Sequence, residues 1–161
     1  MKVVLRLGIC WRASAVAACL LCAVLPAWAV LGADASSIAA DQTRLRGARH
    51  AMMAERAPVQ AHELTMADGS TIREFVSPSG VVFAVAWSTR FKPDLDLLLG
   101  AHAPAYAAAA SEALRVPGIR RRVELHRGDL VVHSTAHLNA WVGRAWLQSL
   151  VPQGVDADVL R

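Results

Sequence analysis

From Val59 onward the chain alternates apolar and polar residues in short runs separated by turn residues, which predicts strands. Val59 to Met66 is one run, with Val59, Ala61, Glu63 and Thr65 on one side and Gln60, His62, Leu64 and Met66 on the other. Ala67-Asp68-Gly69 ends it, and residues 70–76 form the next run. Ser77-Pro78-Ser79-Gly80 then makes a tight turn. Pro78 presets φ, and Gly80 supplies the positive φ that closes a three-residue hairpin. Val81 to Trp87 is apolar throughout. Strict alternation puts Val81, Phe83, Val85 and Trp87 on one face and Val82, Ala84 and Ala86 on the other. A strand apolar on both faces belongs inside a sheet. Pro78, Gly80, Phe83 and Trp87 are therefore the residues expected to carry structural weight.

After Phe91-Lys92-Pro93 the period lengthens. Asp94 caps a short helix over 95–99, stopped by Gly100, and Pro104 opens a second that runs to Leu114. A second group of strands follows, at about 121–126, 130–135 and 138–147, with a turn at Arg127-Gly128 and a bend near Ala136-His137. Upstream, Ser36 or Ser37 caps a helix that continues to Leu45. Residues 30–35 read as a loose lead-in, 50–58 as a helical turn or loop, and 155–160 as a last helical turn. The fold expected is a single α+β domain: a mostly antiparallel sheet of five or six strands with helices on one face.

The first 29 residues stand apart from this pattern. Lys2, Arg6 and Arg12 precede an uncharged apolar run from Ala13 to Leu25, and Pro26 and Ala27-Trp28-Ala29 follow. This is the three-part form of a cleaved secretory signal. Cleavage is expected after Ala29, with Ala33 as the second choice, which divides the chain into a signal peptide at 1–29 and an exported domain at 30–161. Retention as a membrane anchor is the alternative, since Ala13 to Ala33 is long enough to cross a bilayer. Cys10, Cys19 and Cys22 are the three cysteines of the chain, and all lie in this segment. The exported part has no disulfide and no thiol nucleophile, so packing must hold it. Removing Lys2, Arg6 and Arg12 from 17 basic residues leaves 14 against 13 acidic ones. That near-neutral balance argues against nucleic acid as a partner.

Four segments carry a family resemblance: Arg73 to Gly80, Val82 to Trp87, Pro93-Asp94-Leu95 with Leu98-Leu99-Gly100, and Gly143-Arg144-Ala145-Trp146 before Leu150-Val151-Pro152. Together they resemble the bacterial family of small exported proteins catalogued as domain of unknown function twenty-eight forty-four. The resemblance implies export and a single domain, and brings no activity, ligand or catalytic residue.

Candidate chemistry is sparse. His126, His133 and His137 are the metal candidates, because strand histidines can bind zinc or copper. Counting residues along the strands separates His126 from His133 by more than about 10 Å, so solvated histidines and no metal or other cofactor are expected. Ser77 and Ser79 are explained as turn residues, without a nucleophile elbow. Asp94 and Asp96 read as helix-capping charges. Of Arg120-Arg121-Arg122, alternation sends the middle residue to the opposite face, which dilutes any basic patch. Trp141 and Trp146 are five apart, hence on opposite faces of one strand. The function expected is that of a non-enzymatic protein of the periplasm or cell envelope, or secreted, that binds or assists an envelope protein or ligand. No nucleic acid and no stable membrane insertion after cleavage are expected. A metal-dependent periplasmic hydrolase and a membrane-tethered accessory subunit are the alternatives.

Overall fold

The computed structural model describes residues 31–44, 49–54, 59–113, 122–157 and 160. The expected signal segment and the expected helix ends at Leu45 and Leu114 lie outside them. The described chain forms one antiparallel sheet of seven strands. These are β1 (Arg49–Ala54), β2 (Gln60–Thr65), β3 (Thr71–Val76), β4 (Val82–Thr89), β5 (Arg122–Arg127), β6 (Leu130–His137) and β7 (Ala140–Leu147). Their order across the sheet is β1-β2-β3-β4-β7-β6-β5. Strands β2 to β7 are the six that alternation predicts. The seventh, β1, lies in the segment read as a turn or loop and pairs along its whole length with β2. Three helices accompany the sheet: α1 (Ile38–Arg44), α2 (Leu95–Leu99) and α3 (Ala103–Ala113). Among the described residues no helix is long and apolar enough to cross a membrane.

β4 is the fourth of seven strands, and it is buried on both faces, as its composition requires. Val82, Phe83, Ala84, Val85, Ala86 and Trp87 are all 6 % exposed or less. The division between faces differs from strict alternation. β3 and β4 pair as Phe75↔Ala84 and then Val76↔Val82, so Phe83 is an extra residue on β4. This β-bulge shifts the alternation by one. Val82, Val85 and Trp87 pack on the helix side with Leu64, Ile72, Leu98, Leu99 and Val132. Phe83, Ala84 and Ala86 pack on the other side with Phe75, Val131 and Trp146.

The two early turns are built alike. Gly69 N–H donates to Met66 O (3.0 Å) and Gly80 N–H to Ser77 O (2.9 Å), with Gly69 and Gly80 at φ +81° and +80°. α2 is capped as expected: Leu97 N–H donates to Asp94 Oδ1 at 3.0 Å, and Gly100 ends the helix. α3 is pinned to the sheet by Tyr106, whose buried hydroxyl lies 3.4 Å from Ser134 Oγ.

Three chain segments depart from expectation. The lead-in is not loose: Gly32 N–H donates to Val82 O and Ala35 N–H to Gly80 O, both at 2.8 Å, and Leu31 is buried in the helix-side core. β6 runs through to His137, so the hairpin bends at Leu138-Asn139 rather than at Ala136. The end of the chain crosses the face opposite the helices, where Ala157 and Leu160 are buried beside Phe75 and Trp146.

Candidate functional site

The face opposite the helices is organised in rows that run across the strands. Antiparallel register places directly opposed residues on the same face. The first row is Ala61, Phe75, Ala84, Trp146, Val131 and His126 on β2, β3, β4, β7, β6 and β5. It is apolar over five of its six positions, and it lies where the C-terminal segment packs. The second row, two residues along each strand, is Glu63, Arg73, Ala86, Arg144, His133 and Glu124. The third is Thr65, Thr71, Ser88, Val142, Thr135 and Arg122. A charged belt thus spans six strands between an apolar row and a largely hydroxyl-bearing one. Ala86 is the only uncharged side chain in the belt besides the titratable His133.

A cleft of about 610 Å³ opens over the second and third rows. That volume lies in the range of small-molecule sites. Arg73, Arg122, Arg144, Glu124, His133 and Ser88 are among its lining residues. Each charged group is held by a neighbour. Arg73 Nε donates to Glu63 Oε2 at 2.6 Å. Arg122 donates to Glu124 Oε1 from Nε at 2.9 Å and again from Nη2. The Glu124 carboxyl is held below its ordinary range, first by that hydrogen bond and then by the Arg122 charge. Arg144 Cζ lies 5.7 Å from the centre of the Trp146 ring, a cation–π distance, and Arg144 Nη2 is 3.4 Å from His133 Nδ1. His133 also meets Trp146 edge-on, with ring centres 5.2 Å apart at 84°. The Trp146 indole and the His133 imidazole thus flank Arg144.

Of the residues singled out by sequence, His126 and His133 come together. Their ring centres are 5.7 Å apart, against the expected separation of more than about 10 Å. The expectation counted residues along the chain. The two-residue turn at Gly128-Asp129 instead folds β5 onto β6 so that Glu124 opposes His133 and His126 lies diagonal to it on the same face. His137 is exposed at the far end of β6, four residues and about 13 Å from His133. Among the described residues no three His, Cys, Asp or Glu side chains form a group that could hold a metal ion. Ser77 Oγ is bound into its own turn, 2.7 Å from Ser79 Oγ and 3.1 Å from Val81 O. Trp141 and Trp146 lie on opposite faces, as spacing predicts. Arg122 faces the cleft, while Arg120 and Arg121 lie outside the described residues.

Arg73, Arg144 and Glu63 were not singled out by sequence. Arg73 and Arg144 are charged residues inside strands that otherwise read largely as core, and that placement was the available signal; Glu63 lies in a strand of mixed polarity. What sequence lacks is the register that sets them in one row.

A family model matches residues 27–160, and its description is protein of unknown function (DUF2844). No curated protein matches the chain, and no solved structure does.

Proposed function

The chain belongs to the DUF2844 family, which supplies a fold unit and no activity, and on its own geometry we propose that it is an exported, non-enzymatic binding protein of the periplasm or cell envelope that holds a small ligand on its open sheet face. The observation that carries the binding role is the cleft over the charged belt. Its walls are fixed by ion pairs and an aromatic contact, so the ligand meets side chains already ordered, which reduces the entropy lost on binding. The chemistry gathered there orients a ligand: His133 lines the cleft among charged and hydroxyl-bearing side chains, and His126 lies against it from outside the lining.

Export is supported by the three-part N-terminus. Of the two cleavage points, Ala29 is the one that the contacts of residues 31–33 support. Cutting after Ala33 would remove Leu31 from the core and break the Gly32–Val82 hydrogen bond. Burying a leucine contributes about 1.5–3 kcal/mol, so a chain starting at Asp34 would be measurably weaker. Intact mass of the exported protein should place its first residue at Val30. A chain retaining Met1 in the membrane fraction would contradict export.

Binding is tested by thermal shift against a panel of neutral, cationic and anionic small molecules. At least one class should raise the melting temperature of the wild-type protein. The same class should have no effect on Ser88→Tyr, which fills the cleft from an exposed position in the third row. No shift with any class, or equal shifts in both proteins, would refute the reading.

A further inference from the structure

We propose that one end of the sheet docks on the surface of an anionic lipid bilayer. Phe91 and Leu138 enter the headgroup layer, and Arg90 and Lys92 meet the lipid phosphates. The proposal is separate from the ligand cleft and draws on export only for the membrane the protein meets. Among the described residues three large apolar side chains are exposed: Leu138 at 85 %, Phe91 at 69 % and Val142 at 48 %. The register brings all three to one end. β4 finishes at Thr89 opposite Trp141, and β6 finishes at His137 opposite Ala140. Phe91 follows β4, Leu138 lies in the turn from β6 to β7, and Val142 is the third residue of β7. One and a half strand spacings, roughly 7 Å, separate β4 from the centre of that turn. Thr89 Oγ1 ties the two segments, at 2.7 Å from the Phe91 carbonyl oxygen and 3.4 Å from that of Trp141.

Apolar side chains exposed singly are ordinary, but a set confined to one end marks an interaction surface. The opposite end of the sheet shows the contrast. Its turns, at Ser77–Gly80 and Gly128-Asp129, expose no large apolar side chain among the described residues. Phe91 and Leu138 also project from two separate connections and not from one flat strand face. That shape suits a headgroup layer, which yields around each side chain, better than a rigid partner.

Charge selects the kind of bilayer. Arg90 and Lys92 are both exposed and flank Phe91 in the chain. Arg49 starts β1 at the same end, opposite Thr65. Long cationic side chains lay their stems along apolar surface and keep their heads in water. Two of them beside an inserting aromatic therefore sit at the depth of the lipid phosphates, and anionic lipid adds to the apolar attraction. Two carboxylates lie near these cations, Asp68 across the neighbouring turn and Asp94 two residues past Lys92. Both are engaged by backbone N–H groups. Asp68 accepts from the Ser70 N–H and hydroxyl, each at 2.9 Å, and Asp94 from the Leu97 N–H at 3.0 Å.

Vesicle flotation of the protein from Val30 onward tests the docking. One set of vesicles holds phosphatidylethanolamine and phosphatidylglycerol in equal parts, and the other holds phosphatidylcholine alone. Binding is expected to the first set, and about tenfold weaker or less to the second. Phe91→Ser and Leu138→Ser should each weaken binding to the anionic vesicles about tenfold, through loss of the inserted side chain. Arg90→Gln and Lys92→Gln should each weaken it about fivefold, and high sodium chloride should shrink that difference. Arg127→Gln, at an exposed position of the opposite end, should leave binding unchanged. Urea unfolding of each variant separates a lost contact from a lost fold. Should Phe91→Ser lower the urea midpoint, Leu138→Ser decides the matter, because its side chain stands almost wholly in solvent. Equal binding to both vesicle sets, binding unchanged in folded Leu138→Ser, or no binding to either set would overturn the proposal. So would self-association without lipid that Leu138→Ser abolishes, which would assign this end to a second copy of the chain. Each of these results leaves the cleft reading standing, since no residue of the charged belt is altered.

Discussion

Gly143 is the position where the packing of the two sheet faces is most sensitive to one methyl group. A Cβ built there would lie 2.3 Å from Trp87 Cζ2, 2.6 Å from Trp87 Cε2 and 2.8 Å from the His133 carbonyl oxygen. Trp87 and Gly143 oppose each other on β4 and β7, so the indole lies across the space that a side chain on β7 would occupy. Trp87 is 2 % exposed, and its Nε1 is buried with no hydrogen-bond partner among the described residues. Packing rather than hydrogen bonding therefore fixes the ring. Gly143→Ala must move the indole by about 1 Å, and the His133 carbonyl belongs to a paired strand that cannot yield as far. Overpacking of this kind costs about 1–3 kcal/mol, against about 0.5–1 kcal/mol gained by removing a glycine from a strand. A net loss of about 1.2 kcal/mol is expected. With about 2.1 cal/mol/K per residue over the 134 residues matched by the family, that loss lowers the melting temperature by about 4 °C. Urea unfolding followed by circular dichroism should show a lower midpoint at unchanged slope. In a Trp87→Phe background the same substitution should cost about 1 kcal/mol less, since the atoms it meets are gone. Gly143→Ala at or above wild-type stability, or an equal penalty in both backgrounds, would refute the packing argument.

Three further outcomes are expected. Gly80→Ala should destabilise by about 1 kcal/mol in urea unfolding, because φ is +80° there, and a neutral effect would contradict the turn assignment. Phe83→Ala should cost about 3–5 kcal/mol by the same measurement, since the bulged side chain is fully buried against Phe75, and a loss below about 1 kcal/mol would mean that the site is not packed. Asp34 and Asp68 have carboxyls held below the ordinary value of 3.8, chiefly by the Ser36 and Ser70 backbone amides. A lowered folded pKa gives stability that is present above the unfolded pKa and lost as pH falls through the folded one. The urea midpoint should therefore drop below about pH 4, and drop less in Asp34→Asn/Asp68→Asn; identical acid limbs would remove these two groups from the account.

What could be read from the chain beforehand was whatever depends on near neighbours. The six strands, both glycine turns, the Asp94 cap and the central position of the strand after Gly80 all follow from residues within about ten positions of one another. β1 was missed because Arg49 to Ala54 lacks alternation. Its strand form is set by β2, which it pairs with, and not by its own pattern. The faces of β4 were misassigned because one bulged residue, Phe83, reverses every assignment on one side of it. The same limit hid the site. Arg73 and Arg144 are 71 residues apart, and only the non-sequential pairing of β4 with β7 brings them either side of Ala86. His126 and His133 were placed too far apart because distance was counted along the strands and not across the hairpin.

The central claim is that the open sheet face, and not the helix face, receives a ligand. The most direct test is an amide ¹H–¹⁵N spectrum of the protein from Val30 onward recorded against anionic, neutral and cationic small molecules. The account predicts that the amides of Arg73, Ala86, Ser88, His133 and Arg144, on five adjoining row positions, shift together and saturably with the binding class. Shifts confined to Leu95–Ala113 on the helix side, or no saturable shift with any molecule, would contradict it.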